Sequence, residues 1–178
     1  MRFSTYSESD RQEIEALFTR TFSDSEGQSE GKLIGQLAHE LMTRTETDDM
    51  LGFIATEQEQ IVGCIFFTRL SFSSPAKAFL LSPVAIETAH QGKGIGQKLI
   101  KFGIKHLDAL GVEFIFTYGD PNYYSKVGFR QVPQEVATAP FKLTHPEGWL
   151  GQSLNGGSLE LPLGQASCVE PFNDPQYW

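Results

Sequence analysis

Apolar residues in the first fifty positions recur at the spacing of helices. They predict one helix over Asp10–Phe22, with Ser9 and Gln12 able to form a capping box at its start. A second helix is predicted over Glu30–Arg44, where leucines lie four residues apart. The polar, glycine-containing segment Ser23–Gly31 is predicted to be the loop that joins the two helices.

The pattern then changes to short apolar runs, which are typical of strands. Leu51–Thr56 and Ile61–Thr68 are predicted to form a hairpin around the polar turn Glu57–Gln60. A third strand is predicted over Ala78–Ile86. Because proline donates no ladder hydrogen bond, we expect this strand to bulge or to splay from a neighbour at Pro83.

Helical spacing returns after this strand. A helix is predicted over Gly94–Leu110, with Gly111 ending it, followed by a buried strand over Val112–Tyr118 and a short helix over Pro121–Lys126.

The pattern weakens beyond Val132, where prolines and glycines become frequent. Only two short strands are predicted there, near Phe141–Leu143 and over Ser158–Leu163. The order of elements as a whole predicts a mixed α/β fold in a single domain.

Composition narrows the possible functions. The 178 residues include 14 Lys and Arg against 22 Asp and Glu, a formal net charge of -8. This charge disfavours nucleic-acid binding and attraction to an anionic membrane, and it would help to collect a cationic amine. The two cysteines, Cys64 and Cys168, have no metal-ligand spacing, so we expect no metal site. No apolar leader or membrane span is predicted, so we expect a cytoplasmic location.

The most informative segment is a glycine-rich turn, Gln91–Gly96, which follows the strand containing Pro83 and opens the next helix. The first turn of a helix has free N–H groups and the positive end of the helix dipole. Glycines remove the side chains that would keep an anion away from those groups. The segment therefore predicts a binding site for a phosphate or diphosphate.

Two common phosphate-binding motifs do not fit this segment. A P-loop requires Ser or Thr after Gly-Lys and a glycine five residues upstream, but Gly94 follows Lys93 and Glu87 occupies the upstream place. A dinucleotide-binding fingerprint requires Gly or Ala three residues after the second glycine, where Gln97 or Leu99 stands instead.

A third motif does fit. Gln91-Gly92-Lys93-Gly94-Ile95-Gly96 resembles the Arg/Gln-x-x-Gly-x-Gly/Ala signature of the GCN5-related N-acetyltransferases, the GNAT superfamily. Tyr124-Ser125-Lys126-Val127-Gly128-Phe129 contains a segment similar to the family's later Tyr-x-x-x-Gly-Phe motif. The segment Gly119-Asp120-Pro121-Asn122-Tyr123-Tyr124 is most similar to the YhbS-like branch of predicted acetyltransferases.

The resemblance implies a fold and a domain division. It covers roughly residues 3 to 132 and implies an acetyltransferase core over residues 1–135, with residues 136–178 completing the same domain. The implied architecture is a central mixed sheet with a splayed pair of parallel strands, flanked by helices.

The resemblance also implies an acyl donor, acetyl-CoA, and the residues that bind it. The main-chain amides of the loop would hold the diphosphate, and the strand before the loop would pair with the pantetheine arm, with the amide of Val84 polarising the thioester carbonyl. The implied cofactor-binding residues are Val84, Ala85, Ile86, Gln91, Gly92, Lys93, Gly94, Ile95, Gly96, Gln97, Asn122 and Lys126.

The implied reaction is direct attack of a primary amine on the thioester in a ternary complex. By resemblance, the hydroxyl of Tyr124 would protonate the departing thiolate. The base that deprotonates the amine has three candidates: Asp120 and Glu87, which are the nearest acids in sequence, and a base acting through water. Glu26 and Glu30 lie where this family usually builds its acceptor site.

Several alternatives stay open. The acceptor is a small-molecule amine or a protein amine, and a homodimer remains an option. The second hypothesis is a noncatalytic CoA-binding regulatory module, which the absence of an obvious base favours. Trp149 either lines the acceptor pocket or covers a sheet edge, and His90 is expected to be an exposed loop residue rather than a base.

Overall fold

A computed structural model describes residues 1–159 and 162–178. The helices are α1 (Arg11–Glu26), α2 (Gln28–Arg44), α3 (Ile95–Ala109) and α4 (Pro121–Tyr124). The strands are β1 (Arg2–Thr5), β2 (Met50–Glu57), β3 (Gln60–Leu70), β4 (Ala78–Ile86), β5 (Phe114–Tyr118), β6 (Arg130–Gln131), β7 (Ala137–Thr138), β8 (Trp149–Ser153) and β9 (Gly164–Gln165).

Seven of the strands form one mixed sheet in the order β1-β2-β3-β4-β5-β8-β6, and β7 and β9 form a small parallel pair. The sheet is flanked by helices, which confirms the predicted mixed α/β fold. The chain forms two compact units, residues 1–66 with 83–103 and residues 67–82 with 104–178. Two of the boundaries of this division fall within β3 and β4.

In the first unit, α1 and α2 are separated by one residue only. Gly27 takes a φ of 99°, a conformation that favours glycine, and α2 starts at the next residue. The two helices pack so closely at Gly31 that an added Cβ there would lie 2.5 Å from the carbonyl oxygen of Thr19 and 2.8 Å from the amide of Ser23. The loop predicted over Ser23–Gly31 is therefore wrong, because polar composition there reflects an exposed helix end.

The start of α1 also differs from the expectation. The capping box is formed by Ser7 and Asp10 around a short 3-10 turn, with the Ser7 amide donating to Asp10 Oδ2 at 2.7 Å. The predicted pair, Ser9 with Gln12, is wrong because the helical turns begin earlier than the apolar spacing indicates.

The predicted hairpin of β2 and β3 is confirmed. Its turn consists of Gln58 and Glu59, whose φ values of 49° and 64° match the turn type that suits a two-residue hairpin. Aromatic side chains fill the core beneath it: Phe66 stacks on Phe18 with ring centroids 5.8 Å apart, and Phe53 meets Phe102 edge-on.

The third predicted strand, β4, has the predicted bounds. Its register with β5 covers its first four residues and stops before Pro83. Within the second unit, β4 runs parallel to β5, with Ala78–Leu81 in register with Phe114–Thr117. The Thr117 hydroxyl fixes this register by donating to the Leu81 carbonyl at 2.8 Å. Pro83 follows two residues later and supplies no donor for a ladder.

The second unit contains a strand that the sequence pattern did not predict. β8 pairs antiparallel with both β5 and β6, and its first residue, Trp149, is fully buried, stacked on Phe116 at 5.2 Å. The Trp149 indole donates to the Ala137 carbonyl at 2.9 Å, so this side chain fills the core instead of lining a pocket.

Two late strands were predicted incorrectly. Phe141–Leu143 forms bends and coil, and the described part of Ser158–Leu163 contains no strand. Residues 160 and 161 of that second prediction lie outside the described residues. Among the helices that the structure describes, none is both long and apolar enough to cross a bilayer.

The close approach of α1 and α2 yields a stability prediction. Gly31→Ala should lower the free energy of unfolding by about 1–3 kcal/mol, because overlap with the α1 backbone outweighs the helix propensity of alanine, which is worth about 1 kcal/mol. Urea unfolding measures the change. Lys32→Ala is the control, since Lys32 is exposed on the same turn of α2; equal stability of the two variants would contradict the close packing.

Candidate functional site

The glycine-rich turn has the geometry of an anion-binding nest. After β4, a 3-10 turn over Thr88–His90 leads into the segment 91–94, and α3 begins at Ile95. Gly92 and Gly94 have φ values of 73° and 74°, which a side-chain-bearing residue rarely adopts. Left-handed residues alternating with right-handed ones point successive N–H groups toward the same side of the chain.

The Gln91 amide, which was expected to face the diphosphate, is used by the fold because it donates to the Thr88 carbonyl at 3.3 Å, but the amides after it differ. Lys98 donates to the Gly94 carbonyl at 3.1 Å, which is the first hydrogen bond of α3. Among the backbone hydrogen bonds outside the regular ladders, none in the described chain has its donor at an amide from Gly92 to Gln97. A Cβ at Gly92 or Gly94 would meet no atom within 4 Å, so the turn is open on that side. Amides without a partner among these hydrogen bonds thus lie at the positive end of a helix dipole, in a turn whose two left-handed glycines leave open the space that a side chain would fill.

Gln91 supports the turn through its side chain. Its Nε2 donates to the Ile86 carbonyl at 2.9 Å, which joins the last residue of β4 to the first residue of the glycine-rich segment. Ala85 and Ile86 are buried, and the amide of Glu87 continues the ladder to β3 by donating to Val62 at 2.8 Å. The end of β4 is therefore fixed by the burial of its side chains and by the hydrogen bonds of the backbone around it.

Two lysines lie in or next to the turn. Lys93 and Lys98 are exposed, and Gln97 is half-buried in the first turn of α3. The two ammonium groups add positive charge near the nest, where an anion would benefit from it.

A second cluster lies just before the nest and was not predicted. His90 Nε2 lies 2.9 Å from Glu57 Oε2, and His90 Nδ1 lies 3.0 Å from Glu87 Oε2. Glu87 Oε1 is 3.3 Å from Arg20 of α1, and the Thr88 hydroxyl donates to Asp24 at 2.6 Å. The His90 side chain is only 19% exposed, so its expected placement as an exposed loop residue is wrong.

In the second unit, Tyr124 stands at the end of α4 with its ring against Gly119. A Cβ at Gly119 would lie 2.7 Å from the Tyr124 ring, so this contact requires a glycine at the end of β5. The ring also meets Tyr123 and Phe129 edge-on. Burial raises the pKa of Tyr124 to about 12, although a hydrogen bond with Thr117 acts in the opposite direction.

Asp120 has a structural partner. Its carboxylate caps α4 by accepting from the Asn122 amide at 2.9 Å. Asn122 and Lys126 are exposed, and the Asn122 carbonyl accepts from the Ser125 hydroxyl. Of the two candidate bases nearest in sequence, Asp120 is thus engaged with the helix start and Glu87 with the side chains of Arg20 and His90.

The two predicted acceptor residues lie on either side of Gly27. Glu26 is the last residue of α1, and Glu30 lies in the first turn of α2. Both side chains are exposed or partly so, and a carboxylate at the start of α2 also complements that helix's dipole.

Residues that the sequence reasoning missed are Thr117, Gly119, His90 and Glu57. A polar residue inside the apolar strand and a glycine directly after it are visible signals for the first two. His90 and Glu57 lie 33 residues apart, and nothing in the local pattern connects them. Within the described residues, no group of three or more His, Cys, Asp or Glu side chains is placed to hold a metal ion.

Comparison with known proteins agrees with this geometry. Residues 48–131 match the family model of the acetyltransferase (GNAT) domain. The chain is 30% identical over 175 residues to the uncharacterized N-acetyltransferase YjhQ of Escherichia coli K12, covering 95% of this chain and 92% of that protein.

Solved structures share the fold. The GNAT family N-acetyltransferase YhbS from Escherichia coli, in complex with CoA, superimposes with a TM-score of 0.84 at 24% identity, over 97% of this chain and 92% of that one. A GNAT family acetyltransferase from Brucella melitensis, in complex with acetyl-CoA, gives a TM-score of 0.70 at 24% identity, over 96% and 97% of the two chains.

The motif resemblance is thereby confirmed by a relative that spans nearly the whole chain, and the chain belongs to the GNAT family of N-acetyltransferases.

Proposed function

We propose that this chain transfers an acetyl group from acetyl-CoA to a primary amine by direct attack within a ternary complex. The observation that supports the donor is the row of unused amides from Gly92 to Gln97, open on one side. Bare N–H groups at a helix start suit the two negative charges of the CoA diphosphate. The complexes of YhbS with CoA and of the Brucella protein with acetyl-CoA support the same donor.

The other donor contacts follow the family motif. The amides of the loop, with the Lys93 ammonium beside them, bind the diphosphate. Val84, Ala85 and Ile86 present their backbone to the pantetheine arm, and the Val84 amide polarises the thioester carbonyl. Gln91 acts through its bond to Ile86, which holds the loop, and Asn122 and Lys126 bind the remainder of CoA.

The chemistry requires two proton movements. The amine nitrogen forms a bond to the carbonyl carbon, the carbon–sulfur bond breaks, and the thiolate leaves with the electron pair. The nitrogen loses one proton, and the sulfur gains one. In the proposal, Tyr124 is the group that donates to the departing sulfur.

The raised pKa of Tyr124 limits how far its proton can be transferred to the departing thiolate. At neutral pH the hydroxyl is fully protonated, because its pKa is about 12. A thiol has a pKa of about 8.5, so complete proton transfer from Tyr124 is uphill by roughly 3–4 pKa units. Tyr124 therefore stabilises the thiolate mainly by a hydrogen bond, and the amine's proton supplies the thiol at the end of the reaction.

Deprotonation of the amine is assigned to water or to a carboxylate reached through water. Asp120 and Glu87 are less suited than their sequence positions indicate, because both carboxylates already accept from other groups. Glu26 and Glu30 are proposed to attract a cationic acceptor, which is a small-molecule amine or a protein amine. The acetyl-accepting atom is in either case a primary amine nitrogen.

Because the carboxylates of Asp120 and Glu87 already have partners, there is also support for the second candidate, a CoA-binding regulatory module without catalysis. Release of free thiol from acetyl-CoA across a panel of amines discriminates the two functions. Thiol release that depends on amine supports the transferase, whereas CoA binding without release across the panel supports the regulatory module.

Calorimetry with CoA tests the nest. Gly94→Ala should weaken CoA binding at least about tenfold, because its Cβ enters the open side where the diphosphate binds and its φ must change. Gly111→Ala is a matched control: Gly111 has a φ of 75° and an added Cβ there would meet no atom within 4 Å, but it lies at the end of α3. Both variants should lose about 1–2 kcal/mol of stability; equal CoA affinities would refute the nest.

Replacement of the tyrosine hydroxyl tests the donor. Tyr124→Phe should lower kcat about 10²-fold while leaving the dissociation constant of acetyl-CoA unchanged, since the lost bond forms as the thiolate leaves. Tyr123→Phe is the control, because Tyr123 is the neighbouring half-buried tyrosine whose pKa is also raised by burial. If both variants turn over alike, Tyr124 has no role in the chemistry.

The pH dependence follows from the same groups. The value of kcat/KM should rise about tenfold per pH unit up to the pKa of the amine, near ~10, because only the free amine attacks. Tyr124 keeps its proton until the pH approaches 12, so its ionisation produces no descending limb below that value. A descending limb between about pH 8 and 10 that disappears in Tyr124→Phe would contradict this assignment.

A further inference from the structure

One histidine connects three secondary-structure elements at the point where the CoA loop begins. His90 lies in the 3-10 turn directly before the nest, Glu57 is the last residue of β2, and Glu87 follows β4. Glu87 is in turn paired with Arg20 of α1. The side chains of these four residues form a continuous series of polar contacts.

The geometry at the imidazole is unusual because both ring nitrogens face a carboxylate. Nε2 lies 2.9 Å from Glu57 Oε2, and Nδ1, which is buried, lies 3.0 Å from Glu87 Oε2. The second contact has the distance of an ion pair without the alignment of a hydrogen bond. A neutral imidazole has one N–H and one lone pair, so only the doubly protonated ring presents a proton to both carboxylates.

The same geometry excludes His90 from acting as the general base. A base needs a ring nitrogen that is free to accept the proton of the amine. Here each nitrogen is already occupied by a carboxylate, and the side chain is only 19% exposed. Any effect of His90 must therefore act through the position of the loop.

We propose that His90 is a positioning residue: its two ring nitrogens bridge Glu57 and Glu87, and this bridge holds the CoA loop ready to bind. The inference rests on the proposed function. Loss of the imidazole removes the contacts with both carboxylates and releases the turn at Thr88–His90 from β2 and from the end of β4. The glycines that follow have large conformational freedom, so a loosened turn lowers the fraction of loops with aligned amides.

The test measures CoA dissociation constants by calorimetry. In His90→Gln, which retains a side-chain donor but not the two opposed ring nitrogens, we expect CoA binding to be weaker by roughly five- to tenfold. Glu57→Gln should weaken CoA binding in the same direction with His90 intact, and it carries the test should His90→Gln fail to fold by circular dichroism.

The control is another histidine–glutamate pair in the same unit. His39 Nδ1 lies 3.1 Å from Glu15 Oε2, joining α2 to α1 at an exposed position. His39→Gln should bind CoA with the wild-type affinity. Hydrogen exchange without ligand provides a second measurement: the amides of Gly92–Gln97 should exchange several-fold faster in His90→Gln than in His39→Gln.

The outcomes separate this inference from the proposed function. Wild-type CoA binding, with His90→Gln and Glu57→Gln unchanged in affinity and amide exchange, would overturn the inference and leave the function standing. Absence of wild-type CoA binding would overturn both. Weaker binding and faster exchange of the Gly92–Gln97 amides in both variants, with His39→Gln unchanged, supports the positioning role.

Discussion

The fold is organised around backbone N–H groups that it leaves unpaired. Folded proteins pair nearly all of their backbone donors, because an unmet donor away from water is costly. In the described chain, no amide from Gly92 to Gln97 is a donor among the backbone hydrogen bonds outside the regular ladders, so these donors are left for water or an anion. This segment combines two left-handed glycines with the start of a helix, and it follows the end of β4 by a single 3-10 turn. The buried side chains of Ile95, Leu99 and Ile100 anchor that helix, so the donors keep their direction.

A loop without side chains cannot hold its own shape, so its neighbours supply the rigidity. Glycine loses more conformational freedom on ordering than any other residue. In this protein the constraints lie upstream of the glycines: Gln91 is bonded to Ile86, Thr88 to Asp24, and His90 to Glu57. Each of these bonds joins residues outside the segment Gly92–Gln97. The arrangement therefore restrains the loop without using the amides of that segment.

How far the sequence predicts this protein depends on whether the signal is local. The bounds of β4, the hairpin and the nest could be predicted because a strand, a two-residue turn and a glycine motif are each specified by adjacent residues. The continuation of α1 to Glu26 could not, because the polar composition of an exposed helix end is the same as that of a loop. The strand β8 was missed because its stability comes from two distant partners, β5 and β6. For the same reason the pairing of Arg20 with Glu87, 67 residues apart, has no trace in any local pattern.

The acidity of the chain has a limited meaning for catalysis. A net charge of -8 raises the concentration of an ammonium ion near the surface, but the same field opposes the loss of its proton. At equilibrium these effects cancel, because the local concentration of the uncharged amine does not depend on the electrostatic potential. At neutral pH, freeing an amine of pKa near ~10 costs about 4 kcal/mol, and long-range attraction does not lower that cost. Only a group in direct or water-mediated contact with the bound amine can do so. With Asp120 and Glu87 already paired, the identity of that group rather than overall charge decides which amines the protein can acetylate.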